Sequence, residues 1–94
     1  MNIHYALKHA RTVRSMRQGD VAEKAGISQT YLSQIETGGK VPSMEVIETL
    51  CKVYNRPLPI LLWFAMEKSD IPKKKHRAYD ELKPVVDRLI SSLI

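Results

Sequence analysis

Residues 18–36, QGDVAEKAGISQTYLSQIE, restrict the possible folds of this chain more than any other stretch. They form two short segments on either side of Ala25-Gly26-Ile27. Gly26 can adopt the left-handed conformation that ends a helix, and the hydroxyl of Ser28 can cap the helix that follows. Each segment has apolar residues at helical spacing, namely Val21, Ala22 and Ala25 in the first and Leu32 and Ile35 in the second. The pattern predicts two helices joined by a tight turn.

Two helices joined by a short glycine turn form a helix-turn-helix, whose second helix can enter the major groove of DNA. The composition of the chain suits this hypothesis. Its 94 residues are enough for one domain, and a net charge of +5 favours a polyanionic partner without proving one. The single cysteine, Cys51, excludes an internal disulfide and suits a reducing cytosol. No apolar run approaches the roughly 20 residues of a membrane span, and no signal peptide is evident, so we expect a cytoplasmic protein.

The apolar spacing along the whole chain predicts helices and no strands, and therefore an all-α protein. The predicted helices cover about residues 3–15, 18–25, 28–36, 43–54, 59–66 and 80–93. Arg17 stands where a capping Ser, Thr or Asp would be expected. Residues 1–66 are predicted to form one domain, residues 67–77 (EKSDIPKKKHR) a basic linker, and residues 78–94 an amphipathic helix.

The first five helices resemble the Cro/repressor-type helix-turn-helix family, also called the XRE family, over about residues 3–65. The resemblance is carried by Arg11, Met16, Gln18, Val21, Ala22, Ala25, Gly26, Ile27, Ser28, Leu32, Ile35, Glu36, Gly38 and Pro42. It implies a compact five-helix bundle that binds double-stranded DNA as a symmetric dimer. It also implies a prokaryotic cell, with the gene carried by the host, a phage or a plasmid. The C-terminal amphipathic helix lies outside the resemblance.

Four polar residues match the outward positions of the family's recognition helix: Gln29, Thr30, Ser33 and Gln34. A glutamine can bond both N6 and N7 of adenine, and a threonine methyl can contact the methyl group of thymine. We therefore predict that these residues contact bases. The alternative is that they only keep a surface helix soluble.

A second set of residues is predicted to contact phosphate: Arg17, Gln18, Tyr31, Gly38, Gly39 and Lys40. Such contacts fix the register of a protein on DNA without reading its sequence. By resemblance, Gln18 also supports the first side chain of the recognition helix. For each cation the alternative is a solvated charge, and Tyr31 could instead contact thymine methyls or pack beside the fourth helix. The resemblance further implies a structural ion pair between Arg11 and Glu36. A position of Arg11 near phosphate is a second expectation.

An enzyme is not expected. The three histidines, His4, His9 and His76, lack the spacing of metal ligands. No hydrolase nucleophile, phosphate-binding loop or zinc-protease motif occurs, and Cys51 lies on an apolar helix stripe. We therefore predict no catalytic residue, no metal and no cofactor.

The last third of the chain is predicted to mediate dimerisation through Trp63, Phe64, Leu82, Val86, Leu89 and Leu93. Leu82, Val86, Leu89 and Leu93 have the 3-4 spacing of a helix that packs against a second helix. Two alternatives remain open: the helix could fold back on its own domain, or it could bind another protein. Binding of another protein would suit an antitoxin, which binds a toxin and represses its own operon. Dimerisation would suit a repressor of a palindromic operator. The run Lys73–Arg77 could contact DNA backbone or a minor groove, or remain a solvated linker.

Overall fold

A computed structural model describes residues 1–93, which form six α-helices and no strand. The helices are α1 (Ile3–Thr12), α2 (Gln18–Ala25), α3 (Gln29–Thr37), α4 (Met44–Val53), α5 (Leu58–Ala65) and α6 (His76–Leu93). The all-α prediction is confirmed, and none of these helices is both long and apolar enough to cross a membrane. Ile94, the last residue of the predicted C-terminal segment, lies outside the described residues.

Local capping signals define the helix-turn-helix, α2 and α3, as the sequence predicts. Gly26 ends α2 in the left-handed conformation, with a φ of 71°. The Ser28 hydroxyl accepts a hydrogen bond from the Tyr31 amide at 3.0 Å and so caps α3. Arg17 precedes α2 without making a side-chain capping bond. Asn55, with a φ of 49°, has the left-handed conformation expected after α4.

Helix α1 ends at Thr12, three residues before the predicted end at Ser15. Ser15 has a φ of 53°, and the guanidinium of Arg11 donates from Nη1 to the Met16 carbonyl at 2.9 Å. This bond holds the chain in a turn that a continued helix could not form. Val13 is consequently exposed, whereas Met16 packs against the core.

The core lies at the centre of the first five helices, and its large side chains come from all five of them. Leu7, Val21, Leu32, Ile35, Leu50, Tyr54 and Leu61 are fully buried. Each aliphatic side chain of this size contributes roughly 1.5–3 kcal/mol when it leaves water. α1 packs mainly against α5 and α3, and α2 packs against α3 and α4. The second helix of the motif is therefore supported along its inner face by both α1 and α2.

Residues 67–75 are more ordered than the predicted linker, because they form two 3₁₀ turns, Lys68–Asp70 and Lys73–Lys75. The carboxylate of Asp70 accepts from the Glu67 amide and from the N-terminal ammonium group, both at 2.7 Å. The ring of His76 donates from Nε2 to the Ile71 carbonyl at 2.9 Å. α6 therefore begins at His76, four residues earlier than predicted.

Helix α6 packs on its own bundle, with Ile90 as its buried residue. The indole of Trp63 donates to the Asp87 carboxylate at 2.8 Å, and the ammonium group of Lys83 donates to the same carboxylate at 2.9 Å. Pro84 lies within the helix, where it removes the amide that would bond to the Asp80 carbonyl. The helix thus turns a mixed polar and apolar edge toward α5.

Candidate nucleic-acid interface

The outer face of α3 carries the four predicted base-contacting residues. Gln29 and Thr30 are exposed in the first turn, and Ser33 and Gln34 are partly exposed one turn later. Leu32 and Ile35, on the opposite face, are fully buried, which fixes the rotation of the helix. The structure therefore brings the four polar side chains to one accessible face in the first two turns of α3.

Gly19, in the first turn of α2, lies close to the side chain of Gln29. A Cβ added to Gly19 would stand 3.4 Å from Oε1 of Gln29. The absence of a side chain at residue 19 therefore lets the Gln29 carboxamide approach α2. Sequence reasoning did not identify this position. The available signal was a glycine inside an otherwise regular helical pattern, which often marks a close approach.

Arg11 and Glu36 form a bidentate ion pair beneath the motif. The guanidinium donates from Nε to Oε2 at 2.7 Å and from Nη2 to Oε1 at 2.8 Å. Glu36 is only 4 % exposed, so solvent screens the pair weakly. The hydrogen bonds to Glu36 raise the pKa of the Arg11 guanidinium. This pair ties α1 to the last turn of α3.

Gln18 is the third member of the same hydrogen-bonded group. Its amide donates from Nε2 to Oε1 of Glu36 at 3.0 Å. Gln18 is oriented by Glu36, while Gly19 lies against Gln29. A charged carboxylate is a stronger acceptor than a neutral amide, which favours the bond from Gln18 to Glu36. The support of Gln29 by Gln18 stays a prediction.

The loop after α3 contains three predicted phosphate contacts. Gly38 has a φ of 83°, and its amide donates to the Ile35 carbonyl at 3.2 Å. The amides of Gly39 and Lys40 donate to the Gln34 carbonyl at 2.8 and 3.2 Å. A phosphate would therefore have to share these amides with the end of α3, whereas the exposed side chain of Lys40 is available to it.

His4 lies beside this loop, although the sequence indicated no role for it. Its Nδ1 would be 3.4 Å from a Cβ placed on Gly38. His4, Gly38 and Lys40 also line one cavity. Sequence spacing could not reveal this juxtaposition, because residues 4 and 38 are brought together only by the packing of α1 against α3.

The remaining predicted phosphate contacts, Arg17 and Tyr31, occupy different environments. Arg17 is exposed at the start of α2, where the first amides of a helix have no partner within it. Tyr31 is partly buried and packs against the core cluster. Packing against the core therefore accounts for the buried part of the Tyr31 side chain.

Comparison with known proteins gives an independent result for this architecture. A family model described as helix-turn-helix, of the XRE type, matches residues 7–61. The chain belongs to the XRE-type helix-turn-helix family. The match covers more than half of the chain, confirms the resemblance, and favours a DNA-binding regulator over an enzyme.

Several known proteins resemble the chain in sequence. The transcriptional regulator ClgR of Mycobacterium tuberculosis is 33% identical over 72 residues, which cover 77% of this chain and 64% of ClgR. The ImmF control region 10 kDa protein of Bacillus phage phi105 is 33% identical over 55 residues, 58% of this chain and 61% of the phage protein. The HTH-type transcriptional regulator DdrOP3 of Deinococcus deserti is 37% identical over 54 residues, 57% of this chain and 42% of DdrOP3. The chain thus spans less than two thirds of the length of each of these relatives.

The residues predicted to dimerise this helix-turn-helix protein fall into two groups. Trp63 bonds to Asp87 of α6, and Phe64 packs beside His9 at a ring-centroid distance of 4.8 Å, so both contact their own chain. Val86 is partly buried. Leu82, Leu89 and Leu93 are 55%, 60% and 75% exposed on the outer face of α6.

Proposed function

We propose that this chain is a sequence-specific transcription regulator that represses its target by binding a palindromic operator as a homodimer in the cytoplasm of a prokaryotic cell. The observation that carries the proposal is the polar face of α3, exposed and held in place by the Arg11–Glu36–Gln18 group. A recognition helix must be rigid to read bases, because a misplaced donor loses its bidentate geometry. The buried carboxylate supplies that rigidity.

Base contacts are proposed for Gln29, Thr30, Ser33 and Gln34, because they are the polar side chains on that face. Gln29 is the strongest candidate for adenine, since its carboxamide is exposed and lies against the backbone of α2. Two-fold symmetry of the dimer predicts half-sites about one helical turn, ~34 Å, apart.

Phosphate contacts are proposed on both sides of this helix. Arg17 and Gln18 lie at the start of α2, and Lys40 lies in the loop after α3 with Gly38 and Gly39. Tyr31 is a proposed neighbour of the backbone through the part of its ring that stays accessible. His4 joins this set because it adjoins Gly38. Cations placed on either side of a groove set the register of the helix within it.

Dimerisation is proposed through the outer face of α6. Leu82, Val85, Leu89 and Leu93 are exposed there at spacings of 3 and 4 residues, and so form one apolar stripe. Burying such a stripe against a second copy removes it from water, as in a two-helix coiled coil. The stripe includes three of the six residues that the sequence predicted for this role.

The test measures the affinity of Gln29→Ala for duplexes selected by the wild-type protein from a random pool. We expect a loss of about 1–3 kcal/mol on the selected site, relaxed preference at one base pair, and unchanged affinity for random DNA. Ser92→Ala, on α6, is the matched control and should bind like the wild type. Failure of the wild type to select any sequence, or an equal loss on random DNA, would refute base reading by Gln29.

A further inference from the structure

Arg56, just after α4, is a buried cation with no carboxylate partner among residues 1–93. The residue is 1% exposed, and its Nη1 donates to Nδ1 of His9 at 3.2 Å. Its Nε and Nη2 atoms are buried without a hydrogen-bond partner in the described part of the chain. A buried guanidinium with unused donors is costly unless something compensates it.

The surroundings of Arg56 add positive charge rather than balance it. A cavity of about 360 Å³ is lined by His9, Val13, Arg14, Arg56, Phe64 and Ser91, and therefore by no acidic residue. The Arg56 guanidinium lies over the Phe64 ring, 4.8 Å from its centre; the ring face attracts the cation but accepts none of its free N–H groups. Burial, together with the charge of Arg14, lowers the pKa of Arg56, and burial with both arginines lowers the pKa of His9. Glu48 lines a second cavity that borders Arg56 but forms no ion pair with it.

Arg11 shows which group the Nε and Nη2 atoms of an arginine bind in this chain. Arg11 uses the same two atoms, Nε and Nη2, to hold both oxygens of the Glu36 carboxylate at 2.7 and 2.8 Å. These two donors are parallel and match the spacing of carboxylate oxygens. In Arg56 the corresponding edge has no acceptor among residues 1–93.

We propose that the cavity between α1, α5 and α6 binds a small carboxylate, with Arg56 as the principal donor and Arg14 as a second cation. Phe64 and Val13 would contact a short apolar body attached to the carboxylate. A volume near 360 Å³ lies within the range of small-molecule sites. His9 accepts from Arg56 through Nδ1, which leaves its own proton on Nε2 and orients the guanidinium.

Access to Arg56 requires a movement of side chains at the mouth of the cavity, because Nε and Nη2 are shielded from solvent. Arg14 is partly exposed and Ser91 is exposed, so both can move without disturbing the core cluster. The bound carboxylate would then lie between two cations that otherwise repel each other. Binding should therefore stabilise the contact between α6 and the bundle.

The test titrates the full chain, without DNA, with propionate, benzoate or inorganic phosphate at constant ionic strength in chloride. The readouts are the thermal midpoint and the pKa of His9, followed by NMR of its imidazole. We expect propionate and benzoate to raise the midpoint in a saturable manner and to raise the pKa of His9, because an anion beside it favours the imidazolium. Phosphate should have a smaller effect.

Three variants assign the response to the site. Arg56→Met should reduce carboxylate affinity at least about tenfold, since charge-assisted hydrogen bonds are lost. Arg14→Gln should weaken binding less, and it serves as the test if Arg56→Met does not fold. Arg88→Gln, an exposed position on α6, is the matched control for loss of one positive charge and should respond like the wild type.

Two results would overturn the proposal. One is a wild-type protein whose His9 pKa and thermal midpoint do not change with either carboxylate. The other is a response of equal size in Arg56→Met, or an equal response of the wild type to phosphate, either of which would indicate general anion screening. Because no DNA is present, these outcomes leave operator binding as a separate question.

Discussion

Tyr54 shows at the scale of one residue how burial and hydrogen bonding can oppose each other. Its ring is fully buried in the core, but its hydroxyl has no hydrogen-bond partner among the described residues. Burial raises the pKa of the Tyr54 phenol far above its ordinary value, so the group stays neutral at any physiological pH. The ring stabilises the core, while the hydroxyl carries a desolvation cost.

We expect Tyr54→Phe to raise the free energy of unfolding by about 1 kcal/mol, because it removes a buried donor that has no acceptor. Urea unfolding followed by circular dichroism measures the change. Tyr79→Phe, at a partly exposed position of α6, is the matched control and should stay within about 0.5 kcal/mol of the wild type. A clear loss of stability in Tyr54→Phe would show that the hydroxyl has a partner after all.

At the scale of elements, one carboxylate connects three helices. Glu36 in α3 accepts from Arg11 in α1 and from Gln18 in α2. Removing its charge leaves the guanidinium of Arg11 partly buried without a counterion. Glu36→Gln should therefore lower the free energy of unfolding by about 3 kcal/mol, because breaking a buried pair on one side costs several kcal/mol.

An exposed pair in the same chain gives the control for Glu36→Gln. Arg77 and Glu81 are joined at 3.3 Å, but their side chains are 93% and 70% exposed. Glu81→Gln should change stability by less than about 0.5 kcal/mol. Equal effects of the two substitutions in urea unfolding would contradict the structural role assigned to Glu36.

At the scale of the whole molecule, α6 determines how two copies could meet. On its inner edge Asp87 accepts a hydrogen bond from Trp63. Leu82, Val85, Leu89 and Leu93 remain exposed on its outer face. If this stripe is the dimer interface, Leu89→Asp places two like charges across the two-fold axis. We expect the dissociation constant of the dimer to rise by at least about tenfold, because like charges at an interface cost several kcal/mol.

Sedimentation velocity over a range of concentrations measures that change. Arg88→Asp introduces the same side chain next to the stripe and should leave the dimer intact. Folding of Leu89→Asp should be normal, since Leu89 is 60% exposed. A wild-type chain that stays monomeric at all concentrations would refute the proposed homodimer. It would favour binding of a different protein to the exposed stripe of α6, as expected for an antitoxin.

The sequence alone determined the elements whose signals are local. The limits of α2, the left-handed Gly26, the Ser28 cap and the missing cap at Arg17 agree with prediction. So do the family and the polar outer face of α3. The helix limits and caps depend on residues within about one helical turn, where backbone conformation and capping are decided by neighbours in the chain. The family and the face of α3 were predicted from residue spacing over a longer stretch.

Tertiary structure decided the features that depend on residues far apart in the chain. The early end of α1 follows from the bond of Arg11 to Met16, and the orientation of Gln18 follows from Glu36. The sequence predicted a single apolar dimerisation face on α6. The bond from Trp63 to Asp87 instead turns part of that face toward the bundle. No local pattern marks Arg56 for burial, yet packing buries it beside His9. Burial and pairing are set by the three-dimensional arrangement of helices, which no local pattern of residues specifies.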